Sequence, residues 1–257
     1  MNPSLFISHG APNMILGNSF TKKNIKTFAN TLEKPKYIIV VSAHWTTKDL
    51  KIINYETKGL MYDFYGFEDE LYNYNYEINS QKNISLEIIK ELEKQDINIE
   101  VDTTRNTYDH GVWSTLAMMY EELHIPVIQL SIPLNYSIEQ LINLGEKLQV
   151  FKKDALIIGS GGLTHNLSDM SVLGEVKKYA KDFNDFVVEA MKSGNKQKLL
   201  EIKNLNTFYQ NHPSPEHFLP LYIIYGSAIN KKAKSFNHEI TYTNLSMECF
   251  AFDMKTV

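Results

Sequence analysis

Four short apolar runs, Leu5 to Ile7, Tyr37 to Val41, Pro126 to Leu130 and Ala155 to Ile158, constrain this chain more than any other feature. Each is nearly continuous, rich in β-branched residues and bounded by polar or glycine positions, the pattern of strands buried on both faces of a sheet. Between them the apolar spacing becomes helical. Ser137 to Val150 places Ile138, Leu141, Ile142, Gly145 and Leu148 at helical intervals, and Val172 to Met191 does the same with Val176, Tyr179, Ala180, Phe183, Val187 and Ala190. Ile84 to Leu92 repeats the spacing ahead of a strand candidate at Ile97 to Val101. Strands alternating with helices argue for α/β, a layered domain with a largely parallel sheet. A final strand pair at Glu239 to Thr243 and Met247 to Phe252 is expected to give that sheet an antiparallel edge. No internal repeat, low-complexity tract or Pro/Gly/Ser linker divides the chain, so residues 1–257 read as a single domain.

Composition narrows the function classes. With 43% hydrophobic and 22% charged residues the chain can bury a sizeable core. A net charge of −4 supplies no positive field for a phosphate backbone or an anionic membrane, so neither nucleic acid nor membrane is an expected partner. The densest basic runs, Lys22-Lys23 with Lys26 and Lys231-Lys232 with Lys234, read as solvated faces. One cysteine, Cys249, forms no disulfide within the chain and reads as a small buried hydrophobe in a reducing compartment. The first residues lack the basic and apolar regions of a signal peptide, and no stretch approaches the roughly 20 apolar residues of a membrane span. A cytoplasmic location is therefore expected.

The histidines carry the chemistry. His9 follows Leu5 to Ile7, His44 follows Tyr37 to Val41, and His165 follows Ala155 to Ile158 through Gly-Ser-Gly-Gly-Leu-Thr. In an open α/β sheet the carboxyl ends of strands converge on one crevice, so three strand-end histidines point at one site. Neutral imidazoles beside small residues fit a divalent metal. His212 and His217 lie in Asn-His-Pro-Ser-Pro-Glu-His-Phe-Leu-Pro, ahead of a helix pattern starting near Glu216; Glu216 or His217 in its first turn could reach the metal. Glu216 also reads as a charge placed against the helix dipole. His212 is open between turn residue, partner of a ligand and substrate contact. His110, in Tyr-Asp-His-Gly-Val-Trp, is a candidate general acid/base with Asp109 as its orienting partner. His124 and His238 read as surface residues. Gly159-Ser160-Gly161-Gly162 reads as a tight turn delivering His165 in preference to an anion cradle. No His-Glu-x-x-His, phosphate loop or Gly-x-Ser-x-Gly elbow occurs.

Six ordered motifs then give a resemblance over nearly the whole chain: Ser8-His9-Gly10-Ala11-Pro12, Val41-Ser42-Ala43-His44-Trp45, Asp63-Phe64-Tyr65-Gly66-Phe67, Asp109-His110-Gly111-Val112-Trp113, Gly161-Gly162-Leu163-Thr164-His165-Asn166-Leu167 and Pro215-Glu216-His217-Phe218-Leu219-Pro220. They resemble the class III extradiol ring-cleavage dioxygenases, and within them the DOPA 4,5-dioxygenase group. The resemblance implies a three-layer α/β/α domain with a mixed, largely parallel central sheet and one mononuclear non-haem metal. It implies His9, His44, His165 and His217 as ligands, often with Zn(2+) bound and with Fe(2+) expected for dioxygenase activity. In related protocatechuate-type enzymes the ligands are two histidines and a glutamate, and the histidine matching His165 is the catalytic base; four histidines are favoured here, with Glu216 in reserve. The substrates implied are a DOPA-like catechol and dioxygen, with His110 and His165 catalytic and Trp45, Phe64 and Tyr65 candidates to pack on the ring.

The chain leaves the family pattern after Gly66-Phe67, where Glu68 to Tyr76 replaces a proline-containing stretch. That loop is expected to line the substrate mouth. Two rivals use the same residues: a zinc hydrolase acting through metal-bound hydroxide, and a non-catalytic metal-binding homologue.

Overall fold

Alternating burial along each central strand divides the core into two apolar clusters, one on each side of a sheet. The computed structural model describes residues 1–254. Its strands are β1 (Ser4–Ser8), β2 (Tyr37–Thr47), β3 (Lys51–Ile53), β4 (Glu100–Asp102), β5 (Val127–Pro133), β6 (Ala155–Gly161), β7 (Lys234–Phe236), β8 (Ile240–Thr241), β9 (Leu245–Ser246) and β10 (Cys249–Phe252). The helices are α1 (Phe20–Ala29), α2 (Asp69–Tyr72), α3 (Lys82–Glu93), α4 (His110–Met119), α5 (Ile138–Leu148), α6 (Lys178–Ser193), α7 (Lys196–Glu201), α8 (Phe208–Asn211) and α9 (Leu219–Ser227).

The main sheet has eight strands in the order β4-β3-β5-β2-β6-β1-β10-β7. Its centre, β5-β2-β6-β1, is parallel, while β3 runs antiparallel to β5 and β10 to β1. Ile39, Val41 and Ile157 face the cluster built with α5, α6 and α9; Ile38, Val40, Leu156 and Ile158 face the one built with α1 and α4. Successive side chains of a strand point to opposite faces, so continuous apolar runs demand cover on both sides. This is the three-layer α/β/α arrangement with a mixed, largely parallel sheet.

Five boundaries differ from expectation, each for a local reason. β2 continues through His44 to Thr47, with a register shift between Val41 and Thr46 against β5, so His44 sits within an irregular strand end and not beyond it. The helix expected from Val172 begins at Lys178; Gly174 at φ 122° and exposed Val172 and Leu173 hold the preceding segment as a loop. The strand expected at Ile97 to Val101 is only β4, Glu100–Asp102. The expected last strand pair splits: β8 and β9 form a separate hairpin, whereas β10 enters the main sheet between β1 and β7. Finally, α9 starts at Leu219, so Glu216 and His217 lie in the turn before it, where the Pro215 carbonyl accepts from the Phe218 and Leu219 amides.

Candidate active site

Five segments deliver one histidine each to a crevice at the carboxyl ends of the parallel strands. His9 leaves β1 directly, and its amide donates to the Gly161 carbonyl of neighbouring β6 at 3.0 Å. His44 comes from the bulged end of β2, and His165 from the loop after β6. His217 reaches in because β6 is bare at Gly161: a Cβ there would lie 2.2 Å from the His217 carbonyl oxygen. The Gly162 amide donates to that same oxygen at 2.9 Å. The glycine run is therefore not the tight turn expected: Gly159 to Gly161 are the last residues of β6, and the missing side chains of Gly159 and Gly161 give a close-approach surface. His110 opens α4, capped by Asp109, whose side chain accepts from the Val112 amide. Gly111 admits His44, since a Cβ at 111 would lie 2.9 Å from the His44 ring and 2.4 Å from Ser42 Oγ.

The ring nitrogens gather most tightly at His9, His44 and His110, which offer one atom each within 4.8 Å of one another. His9 Nε2 and His44 Nε2 stand 3.1 Å apart. The His217 ring centroid lies 5.3 Å from that of His9 and 4.9 Å from that of His44. His165 stacks on His217 with centroids 3.4 Å apart and planes 6° from parallel. All five positions singled out from sequence are thus brought together, with His110 packed closer to His9 and His44 than a purely outlying role requires.

Hydrogen bonds fix which nitrogen of each ring is open. Ser160 Oγ donates its one proton to the Gly111 carbonyl at 2.5 Å, so its 2.8 Å contact with His9 Nδ1 is a bond donated by the imidazole. The lone pair of His9 Nε2 then faces the crevice. His217 Nε2 is buried without a hydrogen-bond partner among the described residues, while its Nδ1 lies 3.4 Å from Glu216 Oε1. Buried polar atoms are rarely left unpaired in folded proteins. Burial pushes the pKa values of His9 and His217 far below the usual histidine range, lowers that of His165, and takes His44 down to about 4. Neighbouring imidazoles add to the effect at His9, His44 and His217. These four rings are neutral at physiological pH, which is the state an imidazole needs to bind a cation. An all-nitrogen, neutral, partly orphaned donor set fits a divalent transition metal.

The carboxylates sort differently from expectation. Asp109 does not orient His110; it is buried beneath the site, accepting from Ser42 Oγ, Arg105 Nη2 and Gln129 Nε2, each at 2.6 Å. His110 is held instead by Asp63, whose Oδ1 accepts from its Nδ1 at 2.9 Å and its amide at 3.0 Å. Burial raises the Asp63 pKa, but hydrogen bonds and charge from His110 outweigh it and hold the carboxyl below its usual range. Asp63 was visible only as part of the Asp-Phe-Tyr-Gly-Phe motif; no local spacing ties it to a residue 47 positions away. Glu216 accepts from Ser214 Oγ at 2.8 Å and sits behind His217, outside the residues lining the cavity.

His9, His44, His110 and His165 floor a cavity of about 510 Å³. Phe64 lines it and meets His110 edge to face, centroids 5.6 Å apart; Tyr65 stands at the rim. Trp45 is buried under Arg105, 4.8 Å from its ring, and does not line the cavity. His212 is fully buried among Phe183, Phe208 and Phe218 and donates from Nε2 to the Leu163 carbonyl at 2.9 Å, so it supports the loop from inside the core. His124 is exposed beside Glu122, and the largely exposed His238 pairs with Glu248. Cys249 is buried, its thiol pushed up to about 12 by burial, which leaves it unreactive.

Among the described residues no helix is long and apolar enough to cross a membrane. The family described as the catalytic LigB subunit of aromatic ring-opening dioxygenase matches residues 5–252. The chain is 32% identical over 241 residues to a 4,5-DOPA dioxygenase extradiol of Beta vulgaris, covering 90% of this chain and 89% of that one. It is 29% identical over 231 residues to a 4,5-DOPA dioxygenase extradiol of Escherichia coli (strain K12), covering 88% and 84%. The crystal structure of an uncharacterized Escherichia coli K12 protein matches with a TM-score of 0.82 at 26% identity, over 98% of this chain and all of that one.

Proposed function

The chain belongs to the family of the catalytic LigB subunit of aromatic ring-opening dioxygenases and is an extradiol dioxygenase; from that premise we propose that it opens a catechol beside its hydroxyl pair, using one divalent metal held by His9, His44, His165 and His217. The observation that carries the proposal is the pair of His9 and His44 Nε2 atoms, 3.1 Å apart, with the outer nitrogen of His9 tied to Ser160. Nitrogens bound to one ion at about 2.0–2.1 Å lie roughly that close together. When bound, iron(II) supplies the electron that lets dioxygen react with a catecholate, whereas zinc has no redox chemistry and gives a stable, inactive form.

The protein's own residues handle protons and orientation. His110 donates from Nδ1 to Asp63, which leaves Nε2 as an acceptor on a ring that lines the cavity. That nitrogen takes a proton from a catechol hydroxyl, Asp63 stabilises the imidazolium, and the proton is returned to an oxygen of the opened product later in the cycle. His165, neutral because burial lowers its pKa, completes the nitrogen set for the metal and would accept a proton at the same wall only if its ring were released from the ion. Phe64 offers an aromatic face beside His110 for the ring.

The test is anaerobic iron(II) reconstitution, followed by oxygen-electrode and absorbance assays with plain and substituted catechols. Oxygen uptake with a yellow ring-opened semialdehyde is expected. No uptake with any catechol, together with ester or amide hydrolysis by the zinc-loaded protein, would replace the proposal with a hydrolase.

A further inference from the structure

We propose that this site selects catechols whose ring substituent is apolar and uncharged, the substituent lying along a wall formed by Leu167, Met170, Leu245 and Met247. The inference rests on the catechol reading above and deepens it. At about 510 Å³ the cavity exceeds the needs of a single catechol ring and falls within the usual range for small-molecule sites. Away from the histidines its lining is mostly apolar, the polar side chains being Asp63, Tyr65, Thr164, Tyr242 and Ser246, and no lysine or arginine is among the described residues that form it.

The Thr164 and Ser246 hydroxyls on that wall are already engaged. Thr164 Oγ1 donates to the Asn244 carbonyl at 2.7 Å and accepts from the Ser246 amide at 2.6 Å. Ser246 Oγ donates to Asn184 Oδ1 at 2.6 Å. The nearest cationic side chain along the 167–177 segment, Lys177, is tied to the Asp169 carbonyl and carboxylate. Among the side chains the charge is negative: Asp63 lines the cavity, and Glu216 is close enough to raise the pKa of His165 against the effect of burial. A carboxylate on the substituent would be desolvated there without a cationic partner, a costly placement. An alkyl substituent would cover surface that is otherwise wet: Leu167 is 55% and Met170 47% exposed at the rim, and the apolar edge continues through Val172 and Leu173, 81% and 83% exposed. Isolated apolar residues on a surface are ordinary, but a contiguous set bordering a ligand cavity marks a recognition surface.

The experiment compares catechol, 4-methylcatechol and 4-propylcatechol with 3,4-dihydroxyphenylpropanoic acid, which carries a carboxylate on a chain of similar length. Two readouts are taken: kcat/KM of the iron-loaded enzyme, and anaerobic binding to the zinc-loaded protein by calorimetry. Each added methylene is expected to raise both by up to about fourfold. The acid is expected at least about tenfold below 4-propylcatechol. In Met170→Lys and, separately, Leu167→Arg, both at exposed positions that tolerate charge, the acid should gain at least about tenfold relative to the alkyl compound. Catechols that are cleaved with the acid equal or preferred would overturn this inference and leave the dioxygenase proposal standing. Failure of every catechol to bind and to be cleaved would overturn both.

Discussion

The two ends of β1 bury ionisable groups in opposite ways. At its start, the wholly buried Lys152 ammonium donates to Ser4 Oγ at 2.7 Å and to Asp253 Oδ2 at 2.5 Å. That carboxylate also accepts from the Ile229 and Asn230 amides at 2.9 and 2.7 Å. At its other end the chain runs into His9, where Nε2 atoms face one another and His217 Nε2 has no partner among the described residues. The first cluster is closed, with its charges matched by protein groups. The second is open, with lone pairs that no group of the described residues satisfies. Both sites bear the cost of burying polar atoms, so the difference teaches that the open end is shaped for a species the chain does not supply.

The comparison breaks most sharply at His44. His44→Ala is expected to abolish ring cleavage and to drop metal content well below one ion per chain, because an imidazole in direct contact with the ion is lost. Elemental analysis and the oxygen electrode check both, and full metal stoichiometry in the variant would remove His44 from the site. At the closed end the loss should appear as stability. Lys152→Met leaves Asp253 without its buried cation and is expected to cost about 3–5 kcal/mol in urea unfolding. The double variant with Asp253→Asn should recover part of that loss. A cost within about 0.5 kcal/mol, the scale of an ordinary surface change, would show that the closed cluster is decorative.

Smaller effects sharpen the boundary between ligand and proton carrier. His110→Gln is expected to keep metal content near one per chain while lowering kcat about a hundredfold or more. Loss of metal instead would make His110 a ligand, in line with its closeness to His9 and His44. Asp63→Asn should retain metal and lower kcat by about tenfold to a hundredfold. An unchanged kcat in that variant would leave Asp63 with a merely structural role.

Much of this contrast was legible in the sequence because it follows from strand periodicity. Leu5 to Ile7, Tyr37 to Val41 and Ala155 to Ile158 carry continuous apolar runs, and the rule that strand ends converge brought His9, His44 and His165 to one crevice. What stayed illegible depends on long-range geometry. Asp109 adjoins His110 in sequence yet points away, because as N-cap of α4 it turns toward the helix amides and Arg105. Asp63 adopts the partner's role from a distant loop. Pairing of Lys152 with Asp253, 101 residues apart, likewise has no signature in either local sequence. Glu239 to Thr243 and Met247 to Phe252 read as a strand pair, but Ile240 and Thr241 pair with Leu245 and Ser246 while Cys249 to Phe252 pair with β1 and β7.

The least effect expected is a pH dependence confined to the closed end. Burial raises the Asp253 pKa, but hydrogen bonds from Lys152, Ile229 and Asn230 reverse that and leave it below the usual carboxyl value. A carboxyl with a depressed folded-state pKa contributes stability that is complete above its unfolded value, near 3.9, and is lost as pH falls through the lower folded value. Lys152 supplies both a hydrogen bond and charge to that depression. In Lys152→Met the folded pKa of Asp253 should therefore move back upward, and this acid-labile contribution should shrink. The stability gap between the parent protein and the variant is then expected to hold steady from pH 7 to about 5 and to narrow below about 4. Urea midpoints measured at half-unit intervals from pH 7 to 3 check it. A gap that stays constant down to pH 3 would mean that the ammonium is held by packing and by Ser4 alone, with Asp253 contributing no charge to the closed end of the strand.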